Sequence, residues 1–354
     1  MADVLTRNLL MALSSAPETA FNTLYTLTGD YAQALQTQSF SVQLPALEKQ
    51  YDENLIGSGR EFATDAVNDW ITNPRLTVSD RVNPNMLALL VTRLMSATPN
   101  TTAGSGGDAG SYTHVVKMML SSADPQLKSS TAAVQFGAVK LLLGGMVVNS
   151  LGMEFAGGAP TTFNAELVGS GKFQTLPGPY TFPAVAAQNY MCSQAGATLT
   201  LNDGTLFDLA GRVRSASFSV SNNVITDDRR LGDGLLTAGD PASGAYVTRL
   251  TRGDRTATAR LSLFADSASA REWTDHLNGT IINDLTYTAI GKQIALTTKK
   301  FQTKILFPRS IISVVNAEDF SPKLGLTLEF RPLLKTGEPG IVQFEFINDQ
   351  ATLA

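Results

Sequence analysis

Met146-Val147-Val148-Asn149-Ser150-Leu151-Gly152-Met153-Glu154-Phe155, then Gly157-Gly158-Ala159-Pro160, then Phe163-Asn164-Ala165-Glu166-Leu167-Val168, reads as two strands around a turn. Successive strand side chains point to opposite faces, so Leu151, Met153 and Phe155 share one face and Ser150, Gly152 and Glu154 the other. On the return, Phe163, Ala165 and Leu167 oppose Asn164 and Glu166. One apolar face and one small, polar face describe a sheet with a core on one side and water on the other. The hairpin spans residues 144–172.

A second stretch repeats the alternation. Ser215, Ser217, Ser219 and Ser221 line one face of residues 213–224, against Ala216, Phe218, Val220 and Val224. After a long polar segment, Thr256, Thr258, Arg260 and Ser262 alternate with Ala257, Ala259, Leu261 and Leu263. The two segments are expected to pair into another hairpin with a hydroxyl-rich face. Set beside the first, the order of events is loosely similar, which suggests two equivalent hairpins in one subunit.

The remainder supports a mainly β chain. Asn83-Pro84 starts a helix, with Asn as cap, Pro at the first position and Leu87, Leu90, Val91 and Leu94 at helical spacing; one face is expected to pack on a sheet. Asp266 caps a second helix carrying Ala270, Trp273 and Leu277, ended by Gly279. Asn202-Asp203-Gly204 marks a hairpin turn. Residues 75–78 and 112–120 read as strands, and 61–71 as helix or strand. Residues 286–290, 294–298, 303–307, 311–315, 324–330 and 342–346 read as strands. Residues 98–111 read as a flexible loop, and 173–196, with Pro177, Pro179 and Pro183, cannot form a central strand.

The 354 residues can bury a sizeable core. Charged residues make up only 16% and the net charge is −4, which excludes the basic footprint of a protein that grips nucleic acid through its phosphates. A lone cysteine, Cys192, excludes an intrachain disulfide framework and a single-chain thiolate metal site. No window approaches the roughly 20 apolar residues of a membrane span. The reading is a soluble chain made in a cytoplasm.

Catalytic patterns fail on inspection. Gly169-Ser170-Gly171-Lys172 has Glu166 where a phosphate loop needs Gly, and Phe173 where it needs Ser or Thr. His114 and His276, the two histidines, lie on unlike elements, and no nucleophile elbow is present. Asp203 and Asp227-Asp228 match no calcium-loop spacing. Arg252-Gly253-Asp254 is better explained as a turn before a strand. The expectation is a protein that is not an enzyme and holds no cofactor or metal.

The pattern resembles the tail tube proteins of long-tailed bacteriophages. The resemblance rests on Leu55-Ile56-Gly57-Ser58-Gly59-Arg60-Glu61-Phe62, on Val147 to Leu151 with Ala165 to Lys172, and on Ser217-Phe218-Ser219-Val220-Ser221-Asn222-Asn223 with Thr256 to Leu261. It implies a tail-tube-type β-sandwich with flanking helices over residues 23–346, between an N-terminal arm (1–22) and a C-terminal tail (347–354). Segments 98–111, 173–196 and 226–243 are expected as loop elaborations. It further implies hexameric rings that stack into a hollow tube, each subunit giving two hairpins, about four strands, to a shared inner barrel. With ~24 strands ~4.8 Å apart and tilted ~40°, such a barrel is about 45 to 50 Å across its backbone, wide enough for duplex DNA. The loose repeat permits six chains or a pseudo-sixfold ring of three duplicated chains; two hairpins per chain suit six.

On this reading the lumen is lined by Ser150, Glu154, Asn164, Glu166, Ser215, Ser217, Ser219, Thr256 and Thr258, with Arg260 paired to an acid or lying past the lumen. The partners implied are other copies of the chain, the tape measure protein, the tail terminator, the tail-tip or baseplate proteins, and double-stranded DNA in transit. The place implied is the virion tail, assembled in the host bacterial cytoplasm. The competing readings are a soluble β-sandwich that binds a glycan or surface partner, and a single-ring terminator or baseplate-hub protein.

Overall fold

The computed structural model of the chain describes residues 10–25, 31–35, 39–51, 66–118, 127–175, 182–183, 193–209, 211–227 and 246–353. The motif at 55–62, Cys192, Asp228 and most of the segments 173–196 and 226–243 lie outside the described residues.

The chain opens with β1 (Leu10–Ser14) and β2 (Tyr31–Ala34). Next come β3 (Ser39–Gln43), the ribbon β4 (Leu47–Tyr51) and β5 (Ala66–Ile71), and β6 (Arg75–Arg81). Helix α1 (Pro84–Met95) leads to β7 (Asn100–Ala103), β8 (Tyr112–Lys117), β9 (Ser130–Phe136), β10 (Val139–Ala156), β11 (Thr162–Val168) and β12 (Phe173–Thr175). The second half holds β13 (Ser193–Asn202), β14 (Leu206–Asp208), β15 (Val213–Ser221), the ribbon β16 (Val224–Ile225) and β17 (Thr251–Arg252), and β18 (Thr256–Phe264). Helix α2 (Ser269–Asn278) then precedes β19 (Leu285–Gln293), β20 (Lys300–Phe307), β21 (Ser310–Asp319), β22 (Leu324–Pro332) and β23 (Gln343–Asn348). The protein is mainly β, as expected.

Two sheets face one another. One contains an antiparallel run in the order β3-β6-β11-β10-β15-β18-β22-β21, and the other runs β14-β13-β19-β20-β23-β8-β7. Both expected hairpins form, and they adjoin: β10 pairs with β15 from Ser150↔Ser221 to Ala156↔Ser215. The run is eight strands wide rather than four, because β6 and β3 extend it beyond β11, and β22 and β21 beyond β18. Alternate side chains of the strands between β3 and β21 enter the core, with Leu76, Val78, Leu151, Met153, Phe163, Ala165, Phe218, Val220, Leu261 and Phe330 all buried. Phe218 meets the second sheet directly, its ring 5.6 Å from Tyr287 and 5.9 Å from Phe307.

Strand β10 begins before the expected hairpin and changes parity within it. Met146 and Val148 lie in the same core as Leu151 and Met153. A bulge between Val148 and Ser150 makes this possible, since one extra residue exchanges the two faces of a strand. Asn149 sits in the bulge; its amide donates to Glu166 at 2.8 Å and its side-chain oxygen accepts from the Val224 N–H at 2.9 Å.

Helix α1 starts as read: the Asn83 side chain accepts from the Asn85 N–H at 3.0 Å and Pro84 opens the first turn. The expectation of one packed face is corrected. All its residues are buried, because the helix lies between β10 of one sheet and β8, β20 and β23 of the other. Helix α2 ends at Gly279, which takes the left-handed conformation (φ 61°) where L side chains are strained. Its N-terminus is a reciprocal turn in which Asp266 accepts from the Ala268 N–H and Ser269 Oγ accepts from the Asp266 N–H, each at 2.9 Å. Its apolar side, however, is turned outward. Glu272 is the buried residue, held by Arg212 at 2.7 Å, and the His276 Nδ1–H donates to the Ile312 carbonyl at 3.0 Å.

Smaller departures have local causes. Residues 294–298, read as a strand, form the turn between β19 and β20, closed by Thr297 Oγ1 donating to the Ile294 carbonyl at 3.0 Å. Residues 100–103 of the segment read as a loop pair with β8 as β7, and the Asp108 carboxylate fixes the turn by accepting from the Thr298 N–H (2.9 Å) and Oγ1 (2.6 Å). Residues 66–71 resolve as strand β5. Within the N-terminal segment, β1 pairs with β9, and the carboxylate of buried Glu18 accepts four hydrogen bonds. They come from Ser129 Oγ (2.6 Å), Thr131 Oγ1 (2.8 Å), Asn22 N–H (3.0 Å) and Gly145 N–H (3.1 Å).

Candidate functional site

The solvent side of the eight-strand run is mostly polar, with Ile311 and Val314 of β21 as apolar members. On its four central strands, β11, β10, β15 and β18, register places Thr162, Asn164 and Glu166 beside Glu154, Gly152 and Ser150. These lie beside Ser217, Ser219 and Ser221, and those beside Arg260, Thr258 and Thr256. The register thus puts Ser150, Glu154, Asn164, Glu166, Ser215, Ser217, Ser219, Thr256 and Thr258 on one face; each is exposed or half-buried. The side chains cross-link along the rungs: Ser219 and Thr258 hydroxyls lie 2.7 Å apart, and those of Ser262 and Thr327 lie 3.3 Å apart.

The two acids differ. Glu166 accepts from Arg75 at 2.9 Å and from Asn149 at 2.8 Å, so its charge is balanced in place. Glu154 is exposed at the far end of the same strands. Arg260 leans to the side and meets Glu318 of β21 at 3.6 Å. None of the strands of the run, taking β10 from Met146 onward, contains a lysine. Gly152, with no side chain, opens a shallow trough of about 390 Å³ bordered by Ser79, Ser150, Glu154, Asn164 and Ser219.

Several members of this face escaped the sequence reading: Ser41 and Gln43 of β3, Thr77 and Ser79 of β6, Glu329 of β22 and Asn316 of β21, with Thr327 of β22 in the same register but buried. Register aligns them with the central strands. Ser39-Phe40-Ser41-Val42 could have revealed the first of them, because it is identical to Ser217-Phe218-Ser219-Val220.

Motifs set aside on sequence occupy structural positions. Ser170, between Gly169 and Gly171, is buried, and its Oγ donates to the Gly144 carbonyl at 3.2 Å. A Cβ on Gly169 would lie 2.4 Å from Met146 Sδ, so packing accounts for that glycine. His114 is buried in β8: Nδ1 lies 2.9 Å from Thr101 Oγ1, and Nε2 lies 3.0 Å from Asn348 Oδ1 and 2.9 Å from the Gln350 carbonyl. Burial is the first cause that lowers its pKa, and the Asn348 and Gln350 contacts oppose it. Gly253 of the Arg-Gly-Asp tripeptide closes a turn by donating to the Asn222 and Asn223 carbonyls at 3.0 Å.

No curated protein matches the chain. Residues 10–346, nearly its whole length, match the family model described as phage tail tube protein. A polar-faced antiparallel run backed by a second sheet, together with that match, places this chain in the phage tail tube protein family, whose members are structural proteins of the virion tail.

Proposed function

We propose that the chain polymerises as stacked rings of sixfold or pseudo-sixfold symmetry into the tail tube. The polar face centred on β11, β10, β15 and β18 lines the bore through which the genome enters the host. One observation carries the reading: nine hydroxyl, amide and carboxylate side chains share one face of four adjacent strands that, taking β10 from Met146 onward, contain no lysine, and the cation on that face, Arg260, is paired with Glu318. Duplex DNA is a dense polyanion, and each cation that neutralises a phosphate strengthens its grip on the duplex. A bore of hydrated hydroxyls with an exposed Glu154 and a balanced Glu166 keeps DNA moving. Self-association also suits the fold, because a closed barrel covers sheet edges that a lone chain leaves open.

On this reading the tube caps onto terminator and tail-tip or baseplate proteins, encloses the tape measure protein before the DNA, and assembles in the host cytoplasm. Electron microscopy of the purified full chain tests it. Tubes with a central hole, and a reconstruction with Glu154 in the bore, are expected. Single rings that never stack would favour a terminator or hub protein, and a monomer at every concentration a binding module. A map with Glu154 on the outer wall would remove the conduit from this face.

A further inference from the structure

The chain contains one arrangement twice, in the same order. In the first half, β3 and β6 pair across residues 44–74, which contain the ribbon β4–β5; α1 follows β6, and the hairpin β10–β11 then returns to lie beside β6. In the second half, β15 and β18 pair across residues 222–255, which contain the ribbon β16–β17; α2 follows β18, and the hairpin β21–β22 returns to lie beside β18. The spatial order is therefore β3-β6-β11-β10 followed by β15-β18-β22-β21, each strand replaced by its counterpart in the same direction.

Details repeat as well. The bulge of β10 between Val148 and Ser150, opposite Glu166, recurs in β21 between Ile312 and Val314, opposite Glu329. Ser39 to Val42 of β3 spell the same residues as Ser217 to Val220 of β15. Both helices end on a left-handed residue, Ser96 and Gly279, and α1 contacts β10 as α2 contacts β21. The second sheet does not repeat, since β23 from the end of the chain lies between β20 and β8 and ties the halves together. The repeat thus differs from the pairing of residues 144–172 with 213–262 expected from sequence.

The halves differ in what covers them. Counted back from the helix ends, Leu90 and Leu94 of α1 correspond to Trp273 and Leu277 of α2. The first pair is 0% exposed, under β20, β23 and Asn222 of the second half, whose amide donates to the Leu94 carbonyl at 2.8 Å. The second pair is 49% and 64% exposed. Likewise Leu151 and Met153 of β10 are buried, whereas their counterparts in β21 are half-buried Val315 and exposed Ala317. Among the described residues, β21 and β3 end the run, and neither has a strand on its outer side.

We propose that a second copy of this chain occupies that side. The β21 edge of one protomer joins the β3 edge of the next, as β10 joins β15 inside the chain, and the next protomer covers Trp273 and Leu277. The contact is head-to-tail and uses different surfaces on the two copies, so it propagates until it closes into a ring. Each chain supplies two four-strand units. Resting on the sixfold or pseudo-sixfold tube proposed above, the ring then contains three chains, not six. The internal junction pairs Gly152 with Ser219. The matching bulges and the repeated Ser-Phe-Ser-Val set Asn316 opposite Ser41 of the partner subunit.

The test uses the full chain with Cys192→Ser, carrying Asn316→Cys and Ser41→Cys together, and a short thiol cross-linker. Covalent multimers that stop at three are expected, with each single-cysteine variant giving only monomer. A ladder to six overturns the three-chain ring, and absence of cross-links in assembled rings overturns the seam while leaving the tube. In parallel, Trp273→Glu with Leu277→Glu should abolish rings and tubes while the monomer keeps its circular dichroism and melting temperature, because both side chains are already exposed in one chain. Normal assembly of that variant refutes the covering role of the next protomer. A wild-type chain that stays monomeric overturns the tube and the seam together.

Discussion

Replacing Glu18 by Gln removes one acceptor from a site built around two. The carboxylate takes Ser129 Oγ and the Asn22 N–H on one oxygen, and Thr131 Oγ1 and the Gly145 N–H on the other. An amide must aim its NH2 at one of these pairs. The hydroxyl in that pair can rotate and accept, but the backbone N–H cannot, and burying it unsatisfied costs about 1–3 kcal/mol. The two bonds that survive change from charge-assisted to neutral, which roughly halves their strength. Glu18→Gln should therefore destabilise by about 2–4 kcal/mol, or about 30- to 700-fold in the folding constant. Glu18→Ala should cost more, because it strands both N–H groups. Urea unfolding of the two variants reads the difference, and a double-mutant cycle with Ser129→Ala isolates one bond. A loss under about 0.5 kcal/mol for Glu18→Gln would show that water replaces the carboxylate, and the ordering argued from burial would be wrong.

Three further outcomes are expected. Glu154→Lys should leave rings intact and slow DNA delivery; it is a cleaner probe than Glu166→Lys, which would set a second cation beside Arg75, and unchanged infectivity would count against an electrostatic role for the bore. His114 has a folded pKa lowered by burial, so its neutral ring contributes stability fully above the unfolded value of about 6.5, and that contribution is lost as pH falls through the lower folded value; the unfolding midpoint should drop on acidification and His114→Gln should flatten the dependence. Gly169→Ala should destabilise by about 1–3 kcal/mol, since its Cβ would meet Met146 Sδ at 2.4 Å and Pro74 Cγ at 2.7 Å, whereas Gly152→Ala, with nothing nearer than 3.9 Å, should be neutral or stabilising in the same titration.

Period-2 alternation made the central face legible, because Ser217, Ser219, Thr256 and Thr258 could belong to no other surface once Phe218 and Ala257 were inward. Asn83-Pro84 made the start of α1 legible for a similarly local reason. What sequence could not show depends on partners distant in the chain. Whether Leu90 faces one sheet or lies between two is decided by β20 and β23, more than two hundred residues away. Trp273 and Leu277 look like a core stripe by spacing, yet the Glu272–Arg212 ion pair sets which side of α2 faces the subunit. The bulge at Asn149 hides the parity change, because it falls where the apolar run Met146-Val147-Val148 gives way to alternation. Residues 294–298 carry strand-forming side chains, but Leu296 takes a left-handed backbone (φ 61°) that ends the strand. The chain-wide repeat was missed because its clearest trace is four residues long.

The pairing of β10 with β15 has a kinetic meaning. A junction between sheets on separate molecules forms at a rate set by concentration and by the chance of meeting in the right orientation. The same junction within one polypeptide forms during folding, at an effective concentration fixed by the intervening chain. In the ring proposed above, every tube-forming event would begin with part of its circumference already closed, which lowers the number of simultaneous encounters a nucleus requires. Dilute subunits, early in an infection, would gain most from that.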